Sequence, residues 1–147
     1  MVYRSRTIWL TRSVTDGGDR SPLTGLLETV LYCTGDTEDA TRHFYEEVLG
    51  LRRVSQWAYR LGAQVILLFD AEETREQEWP PAHGTSGAGH ACFTVPPEDY
   101  EGWKERLAKI DVELIEEIDW SRGVHSFYFK DPAGNVLEIA DGDMWPA

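Results

Sequence analysis

An internal repeat constrains this fold more than any single motif does. "ETVLYC" (Glu28 to Cys33) and "QVILLFD" (Gln64 to Asp70) return in the same order as "HACFTV" (His90 to Val95) and "NVLEIAD" (Asn135 to Asp141), and "SQW" ending at Trp57 answers "IDW" ending at Trp120. The opening segment of each copy reads as a strand and is followed by a helical pattern. In the first copy Asp36 stands where it can cap a helix whose apolar positions are Ala40, Phe44, Tyr45, Val48 and Leu49, and Gly50 stands where a helix-ending glycine belongs. In the second copy "PPEDYEGWKERLAK" puts Tyr100, Trp103 and Leu107 on one side. "RRVSQWAYRL" and "AQVILLFD" supply the remaining strands of the first copy, with Gly62 at a turn. "VELIEEIDW", "VHSFYFK" and "GNVLEIAD" supply those of the second, with "DPAG" (Asp131 to Gly134) as a turn. The pattern predicts two β-α-β-β-β units that pack together to complete one core or one site.

The repeat divides the chain into an N-terminal arm (1–24), a first module (25–70), a linker or lid (71–87), a second module (88–142) and a tail (143–147). The arm carries Arg4, Arg6, Arg12 and Arg20 with no acid before Asp16 and reads as loosely ordered. Pro80, Pro81, Gly84 and Gly87 mark the linker. A chain of 147 residues is long enough to bury a core as one domain. Its formal net charge of −12 argues against nucleic acid and anionic membrane surfaces as partners, while leaving a cationic ligand open. No apolar run approaches the roughly 20 residues of a membrane span. Cys33 and Cys92 have no metal or redox spacing, which suits a reducing, cytoplasmic setting.

Side chains alternate along a strand, so parity sorts the candidates. Glu28 shares a face with Val30 and Tyr32, His90 with Cys92 and Thr94, and Glu138 with Val136 and Ala140. If these faces turn inward, one imidazole and two carboxylates meet among apolar neighbours, where ionised groups need a partner that a divalent cation can supply. Taken singly, each has an ordinary reading as a solvated glutamate or a hydrogen-bonded histidine, and parity alone leaves both readings open. Ser126 and Tyr128 share the inward parity, whereas His125 faces away. His43 lies on a polar helix position, His83 in the linker, and Trp57 and Trp120 are expected in the core.

The set "LETVLYC", "FYEEVLGL", "GHACFTV" and "FYFKDPAGNVLEIAD" resembles the vicinal oxygen chelate superfamily over roughly residues 25–142. That superfamily includes glyoxalase I, extradiol dioxygenases, fosfomycin-resistance thiol transferases and bleomycin-binding proteins. The resemblance implies an α+β fold in which two βαβββ modules form a cupped mixed sheet with helices on the outside. It also implies a divalent metal (Mn, Fe, Ni, Zn or Mg), a small-molecule substrate bound through two oxygens, and a homodimer in which one chain's first module completes a site with the other's second. Carried over by position, the metal ligands fall on Glu28, His90 and Glu138. Ser126 and Tyr128 fall where substrate-contacting hydroxyls would lie; Arg122 is nearby in the chain, and Cys92, two residues from His90 on the same face, can line the pocket.

Two departures matter. Glu28 stands where histidine is usual, which changes the charge and makes it the ligand best suited to detach and act as a base. The fourth ligand position of glyoxalase I falls on Leu67, which cannot coordinate. Val30 and Ile118 replace phosphonate contacts of the fosfomycin enzymes, leaving Arg122 as the nearby cation. One histidine and two glutamates also differ from the extradiol set. The expected activity is therefore that of a metal-dependent, glyoxalase-like lyase or isomerase in which Glu28 and Tyr128 are catalytic. The alternative is a metal-free small-molecule-binding resistance protein of the bleomycin-binding type.

Overall fold

The computed structural model describes residues 25–145, so the arm expected to be loosely ordered and the end of the tail lie outside the described residues. The repeat reappears as topology. One sheet has the order β1 (Glu28–Cys33), β4 (Gln64–Asp70), β3 (Ala58–Leu61), β2 (Arg52–Arg53). The other has the matching order β5 (His90–Thr94), β8 (Val136–Ala140), β7 (Val124–Lys130), β6 (Glu116–Trp120). Within each, the first and last strands are parallel neighbours and the remaining pairs are antiparallel. Val30 stands opposite Leu67, and Cys92 opposite Glu138, so Leu67 and Glu138 occupy equivalent places in the two sheets.

The helices depart from expectation in local ways. α1 (Glu38–His43) runs on into a wider π-type turn over Phe44–Val48 and stops before Gly50, whose φ of +69° suits glycine. Its N-cap is Thr37, not Asp36, because the Asp36 carboxylate accepts the Thr34 hydroxyl instead. α2 (Ala71–Glu76) lies inside the stretch expected to be linker; Asp70 caps it by accepting from the Glu72 and Glu73 amides at 2.7 and 3.2 Å. "AEETRE" has no apolar stripe, so only its cap could have disclosed it. α3 (Tyr100–Ala108) follows a 3₁₀ turn at Pro97–Asp99.

Strand alternation gives each sheet one apolar face, and these faces share a core. Leu31, Tyr59, Ile66 and Leu68 of the first sheet join Phe127, Phe129, Leu137 and Ile139 of the second, with Phe44, Tyr45, Tyr100 and Leu107 from the helical segments. The modules interlock: the Phe44 ring lies 6.3 Å from that of Phe129, and Arg106 donates to the Glu47 carbonyl at 2.8 Å. Trp57 and Trp120 are not core residues; they are 42% and 36% exposed. No helix among the described residues is long and apolar enough to cross a membrane.

His125 does face away from the candidate site. Asp141, just past β8, accepts from the His125 backbone amide and contacts its Nδ1, both at 2.7 Å, with Asp119 3.8 Å from Nε2 and the Tyr100 ring 6.3 Å away. The bond to Asp141 raises the His125 imidazole above its ordinary range. Burial alone would raise Asp141, but the amide and imidazole of His125 hold it below the usual carboxylate range. A raised histidine stabilises below its unfolded pKa and loses that contribution as pH rises through the folded value; a lowered carboxylate loses its contribution as pH falls through its own folded value. The stability gap between the native chain and His125→Gln is therefore expected to be widest at mildly acidic pH and to narrow on both sides, as thermal melts across pH will show.

Candidate metal centre

Parity turns Val136, Glu138 and Ala140 of β8 away from the helices. Pairing sets Glu138 between Cys92 on β5 and Tyr128 on β7. His90 pairs with Val136, one step along the parallel ladder. Glu138 is only 4% exposed, and its Oε1 is buried without a hydrogen-bond partner. Its Oε2 lies 3.5 Å from His90 Nε2.

The proton on His90 can be placed. Nδ1 lies 2.9 Å from the Val136 carbonyl oxygen, which can only accept, so in the neutral ring Nδ1 carries the hydrogen and Nε2 presents its lone pair toward Glu138. In that neutral form an imidazole lone pair faces a carboxylate oxygen 3.5 Å away. This pair fits a divalent cation, and a carbonyl holding the second ring nitrogen is the usual support for a metal-binding histidine.

The neighbouring side chains respond to the Glu138 carboxylate. The Tyr128 ring stacks on His90 at 6.1 Å and 23°. Burial, then the adjacent Glu138 carboxylate, pushes the Tyr128 hydroxyl up to about 12. The Cys92 thiol is also pushed up to about 12, first by burial and then by Glu138. Ser126 is fully buried and accepts from Trp120 Nε1 at 2.8 Å, so that indole lies over it. Arg122, in the turn before β7, donates to the Trp145 carbonyl at 2.9 Å.

Glu28 is exposed at the start of β1 and shares with His90, Cys92, Val65 and Phe93 a cleft of about 230 Å³. Among the described residues, however, no group of three His, Cys, Asp or Glu side chains stands close enough to hold a metal. Glu28 therefore does not join His90 and Glu138 within a single chain. His83 is not free in the linker, since its Nδ1 lies 2.6 Å from the Tyr32 hydroxyl. Sequence reasoning missed the Val136 carbonyl behind His90 and the indole over Ser126. Backbone acceptors leave no mark in residue types, whereas Trp120 shares the inward parity of Ile118 and was open to that reading.

A buried carboxylate oxygen without a partner costs stability when no cation is bound. In chelator-treated protein, Glu138→Met is expected to raise the urea-unfolding free energy by about 1–2 kcal/mol. A loss of stability would mean that the carboxylate is satisfied in some other way.

Residues 26–139 match the family Glyoxalase/Bleomycin resistance protein/Dioxygenase superfamily. The chain is 35% identical over 104 residues to a glutathione transferase FosA from Serratia marcescens, covering 69% of this chain and 70% of that protein. A lactoylglutathione lyase from Agrobacterium tumefaciens superposes with a TM-score of 0.79 at 32% identity, covering 84% of this chain and 98% of that one. A virulence protein from Salmonella typhimurium superposes at 0.62 with 29% identity, covering 80% and 96%. The chain belongs to the glyoxalase/bleomycin resistance protein/dioxygenase superfamily.

Proposed function

We propose that the chain is a divalent-metal-dependent enzyme of lyase or isomerase type, binding a small molecule through two neighbouring oxygens. His90 and Glu138 of one copy and Glu28 of a second copy would hold the cation. The observation that carries this reading is Glu138 Oε1, a buried carboxylate oxygen without a partner beside an imidazole whose Nε2 lone pair faces it. Of the two similar enzymes, the lactoylglutathione lyase supports the lyase class, while the glutathione transferase supports only an enzyme on this fold.

A second copy supplies what one chain lacks. β1 and β5 are sheet edges, and Leu26 and Leu27 beside Glu28 are 62% and 70% exposed, an apolar edge of the kind that pairs across a two-fold axis.

The bound cation would supply Lewis acidity to a substrate oxygen as negative charge develops there. Other roles belong to the chain. Tyr128 keeps its proton at neutral pH and acts as a hydrogen-bond donor to substrate, not as a base. Cys92 stays a neutral thiol and serves as a wall of the pocket. Glu28, exposed where Glu138 is buried, is the carboxylate able to let go and accept a proton. With Arg122 engaged by the Trp145 carbonyl, the site suits an uncharged hydroxycarbonyl better than a phosphonate.

The test is a mixed dimer. Glu28→Gln and Glu138→Gln chains should each lose metal as homodimers. Combined one to one, they should regain about a quarter of the native content, because about half of the dimers formed are mixed and two-fold symmetry leaves each of these one intact site and one doubly altered site. Full metal retention by Glu28→Gln, or no recovery in the mixture, would contradict a shared site.

A further inference from the structure

We infer that Asn135 is a positioning residue, which sets the aim of His90 and ties that aim to the packing of the two modules. The role concerns the centre proposed above and rests on that reading only for its consequence on metal affinity. Asn135 is 2% exposed, and its side chain uses both donors and one acceptor site in three directions. Oδ1 accepts from the Gly89 amide at 2.9 Å; Nδ2 donates to the Tyr32 carbonyl at 3.0 Å and to Asp131 Oδ2 at 2.8 Å. Asp131 receives in addition the Asn135 amide at 2.9 Å and the Tyr45 hydroxyl at 3.1 Å.

These partners come from both modules. Tyr32 belongs to β1 and Tyr45 to the π-type turn, both of the first module. Gly89 is the residue before His90, and Val136 is the residue after Asn135. The Val136 amide donates to the Gly89 carbonyl at 2.9 Å, and the Val136 carbonyl meets His90 Nδ1. The Asn135 side chain therefore closes a short loop of bonds around the first pair of the β5–β8 ladder, the pair that fixes the His90 tautomer. No other side chain of this size offers one acceptor and two donors in that plane except glutamine, which is longer. Aspartate has no donor for Tyr32 and would face Asp131 as a second carboxylate. Gly89 is matched to the contact as well, since a Cβ there would lie 2.9 Å from Asn135 Oδ1.

The readout is the imidazole tautomer of His90 in the full, metal-free chain. It is measured by long-range nitrogen–proton NMR at alkaline pH, where imidazoles are neutral, with His90→Gln used for assignment. The native chain should show His90 with the hydrogen on Nδ1. Asn135→Asp should mix the two tautomers, and so should Gly89→Ala, whose Cβ would meet Asn135 Oδ1 at 2.9 Å and Leu31 Cδ2 at 3.1 Å and so displaces the amide; it decides the matter if Asn135→Asp fails to fold. Leu107→Ala, which opens the core away from this loop, should lower stability and leave the tautomer unchanged. If metal binds the native chain, cobalt affinity should fall at least about tenfold in Asn135→Asp. The proposal is overturned if a folded variant keeps the native tautomer, or if His90 samples both tautomers in the native chain. Absence of cobalt binding by the native chain would instead count against the metal reading while the tautomer result stands.

Discussion

The parallel pairing of β5 with β8 is the constraint on which the rest of the site depends. It puts the Val136 carbonyl behind His90 Nδ1, turns Nε2 toward Glu138, and sets Cys92 against Glu138 on the same face. A slip of one residue would send Glu138 to the helix side and Leu137 or Ile139 into the site. The apolar core prevents this, because Leu137 and Ile139 are buried against Phe127 and Phe129. The hydrophobic face therefore enforces the register that the polar face uses.

The same ladder exists in the first module, yet carries no charge at the matching place. Val30 and Leu67 stand where Cys92 and Glu138 stand in the second. The duplicated fold is thus chemically asymmetric, with a polar pair in one module and an apolar floor in the other. The first module has its carboxylate at the edge instead, where Glu28 stands beside the exposed Leu26 and Leu27. Its helix-free face is closed at the far end by the Tyr32–His83 bond, with the Phe69 ring 5.8 Å from that of His83.

Much of this was legible in the residues. Strand parity puts Glu138, His90, Cys92 and Tyr128 on one face, and the repeat matches Glu138 to Leu67. Relations between strands that sequence does not pair were not legible. Whether Glu28 reaches His90 and Glu138 depends on how the two sheets sit, and periodicity within a strand carries no information about that. Asn135 was visible only as the residue closing a turn after Gly134, whose φ of +87° suits glycine; its three partners lie as far as Tyr32 in the chain. Trp120 was misplaced because an indole reads as core, while its N–H found a buried hydroxyl at the rim.

Glu138 is a buried carboxylate with one oxygen left without a hydrogen-bond partner, an arrangement that costs stability unless something pairs with it. The measurement that bears most directly on this is a calorimetric titration of chelator-treated full chain with Mn²⁺ and Zn²⁺, native beside His90→Gln. Binding of about one cation per chain, lost in the variant, is the predicted result, since His90 Nε2 and Glu138 Oε2 stand 3.5 Å apart on one face. No binding by the native chain, or equal binding by His90→Gln, would contradict it.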